Sequence, residues 1–168
     1  MTCKEQEEQK MVALCKKTLS SKAIQNVFIF TYDQLRRYKG AWHLERKLLF
    51  PAHVFLESEN ENILRKELRK SNITVKQKNR LSRMDKEEEQ VLKILCGREH
   101  HLQMSRGIID KGIPHITEGP LKGMESRICK IDRHKRLARI TITKRQDYGW
   151  LPAGLEITEK VVSSRWSE

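Results

Sequence analysis

The segment Gly119-Pro120-Leu121-Lys122-Gly123 constrains the fold more than any other stretch of the chain. Proline pre-sets φ for a turn, and the flanking glycines allow positive φ or a close backbone approach. A short apolar strand, Ile113 to Ile116, leads into it. Two runs follow, Arg127-Ile128-Cys129-Lys130-Ile131 and Leu137-Ala138-Arg139-Ile140-Thr141-Ile142, on either side of a basic turn, Asp132-Arg133-His134-Lys135-Arg136. Strands joined by tight turns with no helical periodicity between them predict a small β-barrel for this part of the chain.

The first half reads differently. Thr2-Cys3-Lys4-Glu5 has the spacing of a capping box, which predicts a helix from Thr2 to about Leu19, with Met11, Leu14, Cys15 and Leu19 on its inward face. Val27 to Phe30, Trp42 to Arg46 with Leu48 to Phe50, and His53 to Leu56 have strand composition, and Tyr38 to Ala41 reads as a turn. Asn60 to Arg69 predicts a second helix with Ile63, Leu64 and Leu68 inward, followed by a short strand at Asn72 to Val75. Lys76 to Arg83 reads as a basic loop. Asp85 then caps a third helix, with Glu88 at its third position, Val91, Leu92 and Leu95 on the apolar face, and Gly97 ending it. The order of elements is that of an α+β fold with helices on one face of a mainly antiparallel sheet. The expected organisation is a first domain over residues 1–98, a linker over 99–111 flanking a short strand near Leu102 to Met104, and a second domain over 112–168.

Charge narrows the function. Lys and Arg number 34 against 22 Asp and Glu, a formal charge of +12. The excess is localised. Residues 60–84 carry Arg65, Lys66, Arg69, Lys70, Lys76, Lys78, Arg80 and Arg83 against Glu61 and Glu67. Residues 119–148 carry Lys122, Arg127, Lys130, Arg133, Lys135, Arg136, Arg139, Lys144 and Arg145 against Glu125, Asp132 and Asp147. Clustered cations favour a polyanionic partner, and nucleic acid is the commonest. No run of about 18 apolar residues occurs, so no membrane helix is expected, and the polar start lacks a secretory signal core. The four cysteines, Cys3, Cys15, Cys96 and Cys129, have no CxxC pair, which argues against a zinc ribbon and fits a reducing cytoplasm. Cys15 and Cys129 read as core residues. His100-His101 has no carboxylate or cysteine at ligand spacing. No phosphate-binding loop, nucleophile elbow or HExxH helix is present, so neither enzymatic activity nor a cofactor is expected.

The Gly-Pro-Leu-Lys-Gly turn with its basic hairpin resembles the KOW domain of NusG-type transcription elongation factors. Lys47-Leu48-Leu49-Phe50-Pro51-Ala52-His53-Val54-Phe55 is similar to the hydrophobic-Phe-Pro-Gly-Tyr-Val-Phe strand of the family's N-terminal (NGN) domain, with Ala52 in place of glycine and His53 in place of tyrosine. Ser126 stands where the family usually has another glycine. Asp85 to Gly97 followed by His101-Leu102-Gln103-Met104-Ser105-Arg106-Gly107 resembles the LoaP-type antitermination paralogues. The family's opening strand is missing, which leads to the expectation that the natural protein begins upstream of Met1.

The resemblance implies an NGN antiparallel sheet with helices, then a small SH3-like KOW β-barrel. It implies a monomeric, cytoplasmic elongation and antitermination factor. Phe50, Pro51, His53 and Phe55 would meet the clamp region of RNA polymerase. Nascent RNA, in LoaP-like proteins a structured hairpin, would meet Lys122, Lys130, Arg133, His134, Lys135 and Arg136, with Arg65, Lys66, Arg69 and Lys70 as a second basic surface. Rho or a ribosomal protein could engage the KOW domain. The alternative is a KOW-containing RNA-binding or ribosome-associated protein that never touches polymerase. Trp42, Trp150 and Trp166 could stack on bases, although Trp150 is expected to pack against the barrel.

Overall fold

The computed structural model describes residues 1–73, 80–143 and 149–161. It is α+β. The elements are α1 (Glu8–Thr18), β1 (Asn26–Phe28), β2 (Thr31–Tyr38), β3 (Ala41–Leu48), β4 (Phe55–Glu57), α2 (Glu61–Lys70), α3 (Lys86–Cys96), β5 (His101–Leu102), β6 (Ser105–Asp110), β7 (Ile113–Glu118), a 3-10 turn (Glu125–Arg127), β8 (Ile128–Asp132), β9 (Leu137–Ile140) and β10 (Leu151–Val161). They form two compact units. The first comprises Met1–Phe30 and Leu48–Met84, and the second Thr31–Lys47 and Asp85–Glu168.

In the first unit, β1 and β4 pair antiparallel, with Val27 opposite Leu56. Residues 1–3 add one bridge, Thr2 to His53, flanked by backbone bonds from Cys3 N–H to Ala52 O and from Val54 N–H to Met1 O. This pairing corrects the expected capping box. Thr2 is held in extended backbone, its hydroxyl accepts from Arg80 N–H, and α1 starts only at Glu8 with no side-chain cap. Met11, Cys15 and Leu19 are buried as expected and pack with Val27, Val54, Leu64 and Leu68. Leu14 is not, because its side of α1 faces solvent. Asn60 caps α2 by accepting from Ile63 N–H at 3.1 Å. Of the strand expected at Asn72 to Val75, Asn72 and Ile73 are not strand, Asn72 turning at φ 54°, while Thr74 and Val75 lie outside the described residues, as do Lys76, Lys78, Lys144, Arg145, Asp147 and Trp166.

The second unit is built on a five-stranded sheet in the order β7-β6-β10-β9-β8. The long strand β10 is its spine, parallel to β6 on one side and antiparallel to β9 on the other. The hairpin β2–β3 turns through Lys39 and Gly40, both at positive φ, as a two-residue turn matching strand twist requires. It packs on this sheet, and β5 extends it as a parallel third strand. Residues 101–102 and 105–110, inside the segment expected as a linker with one short strand, are therefore both strands. Asp85 caps α3 through Glu87 N–H, and Gly97 follows it at φ 58°. Gly119 earns its place twice. Its φ is +90°, and a Cβ there would lie 2.6 Å from Met104 O and 2.7 Å from Ser105 Cα. Ser126, by contrast, sits in the 3-10 turn at ordinary φ, so no glycine is needed there.

Candidate functional site

Two surfaces stand out, one in each unit. In the first, Phe28, Phe30, Phe50 and Phe55 form one aromatic cluster. Ring centroids are 4.8 Å apart for Phe30–Phe55, 5.2 Å for Phe28–Phe30, 5.3 Å for Phe50–Phe55 and 5.8 Å for Phe30–Phe50. Edge-to-face pairs at such separations add stability beyond area burial. Phe30 is buried, whereas Phe28, Phe50 and Phe55 are half-buried, so the cluster presents a partly open apolar face. Chain direction explains how Phe50 and Phe55 meet although five residues apart. The backbone turns at Pro51-Ala52, Ala52 taking φ +60°, before β4 begins. Pro51 and His53 are exposed, and the His53 ring donates from Nδ1 to Pro51 O at 2.8 Å. Val54 is core.

In the second unit, Arg133, His134 and Lys135 are exposed together at the β8–β9 turn, and Lys130 is exposed on β8. The carboxylate within the turn is spent locally, with Asp132 accepting from Lys135 N–H at 3.0 Å. Lys122 is exposed just after β7. Arg136 differs from its neighbours. Its guanidinium lies 4.0 Å over the Trp42 ring and 2.6 Å from Glu156, which also meets Arg106 at 3.3 Å. A planar guanidinium suits both roles at once. Arg136 thus fixes the root of the turn to β3 and β10, and its three neighbours are left to solvent.

On α2, Lys66, Arg69 and Lys70 are exposed, while Arg65 is half-buried and paired with Glu61 at 2.6 Å. Glu67 faces away to cap Ser20, accepting from its N–H at 2.8 Å and its hydroxyl at 2.6 Å. Those two hydrogen bonds hold the Glu67 carboxyl below the usual range. Both carboxylates of this helix are therefore engaged beside the cationic face. The α2 face and the β8–β9 turn belong to different units.

Residue-by-residue reading of the sequence missed a buried polar chain in the second unit. His101 is 8% exposed. Its Nε2 lies 2.9 Å from Asp33 Oδ1 and its Nδ1 2.8 Å from the Thr31 hydroxyl. Both ring nitrogens are therefore engaged, Nε2 by the carboxylate and Nδ1 by the hydroxyl. The other Asp33 oxygen accepts from Met104 N–H at 3.3 Å. This carboxylate arrives from 68 residues upstream, beyond any local spacing rule. The chain ties β2 to the 101–104 segment beside an open groove of about 400 Å³ lined by Asp33, Leu44, Arg46, His101, Met104 and Arg106, among others. Among the described residues, no group of three or more side chains could hold a metal ion.

The thiols need one correction. Burial pushes Cys15 up to about 11 and Cys96 up to about 12. Cys129, expected in the core, is exposed where a register shift between Ile128 and Lys130 leaves it without a partner position on β9. Trp150, expected against the barrel, is 49% exposed, with the Arg139 guanidinium 4.0 Å over its ring. Among the described residues, no helix is long and apolar enough to cross a membrane.

Comparison with known protein families finds no matching model, and no curated protein matches the chain.

Proposed function

We propose that the chain is a NusG-type transcription elongation factor of the antitermination kind, with an NGN-like first part and a KOW-like second part, acting in the cytoplasm on RNA polymerase and nascent RNA. The observation that carries this reading is the phenylalanine cluster at the Phe50-Pro51 motif. Three half-buried phenyl rings with no polar handle are suited to an apolar protein surface and poorly suited to a polyanion. The exposed cations of the β8–β9 turn supply what a phosphate backbone needs. On this reading the aromatic face binds the polymerase clamp in its closed, elongating form better than in its open form. Termination then falls by a shift of population, with no chemistry performed by the chain. The turn and its sheet engage leader RNA, or a second protein such as Rho or a ribosomal protein.

The test is single-round transcription by bacterial RNA polymerase through an intrinsic terminator, on a template carrying the leader of the neighbouring operon. The chain should raise read-through. Phe50→Asp, at a half-buried ring, should abolish both read-through and polymerase binding while leaving RNA affinity within about twofold. A chain that binds RNA but neither polymerase nor terminator complexes would favour the second reading, an RNA-binding or ribosome-associated protein. That reading draws on the cationic turn alone.

A further inference from the structure

The β8–β9–β10 face carries a row that the basic turn does not account for. Register places Lys130 opposite Arg139, and Arg139 opposite Pro152. Facing residues on neighbouring strands share one side of a sheet. Lys130 and Arg139 are exposed, and the next row inward, Ile131, Ala138 and Ala153, turns the other way toward the core. Trp150 stands just before β10, and its contact with Arg139 places its ring on this side of the sheet. Its indole is covered on one face by the Arg139 guanidinium, and 49% of the residue remains open.

An exposed tryptophan is costly to leave in water unless something covers it, and a guanidinium stacked on one face holds the ring in place. The open face is then a flat, electron-rich surface backed by the Arg139 cation, with Lys130 opposite Arg139 in the register and, among the described residues, no carboxylate in that row. Arg133 and Lys135 stand in the turn that joins β8 to β9, at the end of these same strands. A protein partner with an apolar patch would gain little from this cationic border, whereas a nucleic acid strand gains from both features. A base inside an A-form helix offers no free face to an indole. An unpaired base does.

We infer that Trp150, held by Arg139, is a stacking platform for an unpaired RNA base, and that the cationic turn binds the phosphates leading to it. The inference rests on the RNA-binding part of the proposed function and specifies the ligand as single-stranded RNA, or the unpaired loop or flank of a structured one. Stacking and phosphate contacts have different signatures. Stacking contributes little to the salt dependence of binding, whereas each phosphate contact adds to it.

The experiment measures affinity of the full chain for a short unstructured RNA and for a blunt RNA duplex of the same length, across a salt series. Trp150→Ala should weaken binding of the unstructured RNA about tenfold or more. It should leave duplex binding within about twofold and the salt slope unchanged, and Trp150→Phe should restore most of the loss. Arg139→Lys, which keeps the charge but removes the planar group, should weaken the unstructured RNA alone. Replacing Arg133 and Lys135 by Ala should instead lower the salt slope for both RNAs. If Trp150→Ala leaves the unstructured RNA unaffected, or weakens both RNAs equally, the platform is overturned while RNA binding stands. If the unaltered chain binds neither RNA, the RNA-binding reading itself fails.

Discussion

The two units divide the aromatic residues by chemistry. All four phenylalanines, Phe28, Phe30, Phe50 and Phe55, lie in the first, and among the described residues every tyrosine and tryptophan (Tyr32, Tyr38, Trp42, Trp150) lies in the second. In the first unit the rings contact one another, Phe28 stacked on Phe55 and Phe30 edge-on to it. In the second, both described tryptophans lie under arginine side chains. A phenyl ring has no polar handle and a weaker face for a cation, while indole offers the strongest such face. The same class of residue therefore makes a dry patch in one unit and a cationic, base-compatible surface in the other. That contrast is the physical ground for proposing a protein partner for one and a polyanion for the other.

The sharpest way to break the division is to damage one unit alone. Strand β10 crosses β2 so closely at Gly154 that a Cβ there would collide with the Asp33 carbonyl oxygen and the Met104 sulfur. A backbone oxygen cannot swing aside as a side chain does. Gly154→Val should cost about 3 kcal/mol. Each unit carries its own reporter, a buried thiol that reacts only on opening: Cys15 in the first and Cys96 in the second. Alkylation near neutral pH should become about 100-fold faster at Cys96, the kinetic equivalent of that loss, with Cys15 unchanged. Equal acceleration at both would show that the two units open together.

A smaller effect tests how the first unit supports its aromatic face. The Glu8 carboxylate is buried and accepts from Ala52 N–H at 2.7 Å, in the turn between Phe50 and β4. Burial pushes its pKa up, but N–H donors from Ala52, Glu8 itself and Gln6 outweigh this and hold it below the usual carboxylate range. A depressed pKa means the stabilisation is present in full above the ordinary carboxylate value and is lost as pH falls through the lowered one. Glu8→Gln should therefore cost about 1–2 kcal/mol at neutral pH. Thermal melting followed by circular dichroism should show the gap between the two proteins closing as the solution is acidified. A gap independent of pH would mean that the charge contributes nothing.

Local rules read well wherever the deciding interaction is local. The cap at Asp85, Gly97 after α3, the turn at Gly119 and the inward faces of α2 and α3 are all matters of spacing within one or two turns of chain. Failures cluster where distant backbone intervenes. Thr2 lost its cap to pairing with residues 52–54, and Cys129 left the core where the β8–β9 register shifts between Ile128 and Lys130. The parallel pairings of β2 with β5 and of β6 with β10 join residues about 50 to 70 positions apart and leave no mark in alternation. At the candidate sites, Phe50 and Phe55 were visible as a motif, but Phe28 and Phe30 completed the cluster only through the fold. Arg133, His134 and Lys135 were legible as a basic turn. The engagement of Arg136 with Trp42 and Glu156 was not, since neither partner is near in sequence.

The least disruptive substitution runs in the opposite direction and targets the turn beneath the aromatic face. Ala52 sits at φ +60°, where an L-residue brings its Cβ too close to the neighbouring carbonyl oxygen, at a cost of roughly 1–2 kcal/mol. The conformation persists because both of its backbone groups are claimed, the N–H by Glu8 at 2.7 Å and the carbonyl by Cys3 N–H at 2.8 Å. Glycine adopts that φ without penalty but gives up roughly 0.5–1 kcal/mol in unfolded-chain entropy. The difference leaves Ala52→Gly more stable by about 0.5 kcal/mol, and slower alkylation of Cys15 with Cys96 unchanged would register it. The opposite result, a less stable first unit, would mean that the Ala52 methyl makes apolar contacts worth more than its strain. The turn would then hold Phe50 against Phe55 by side-chain packing as well as by backbone geometry.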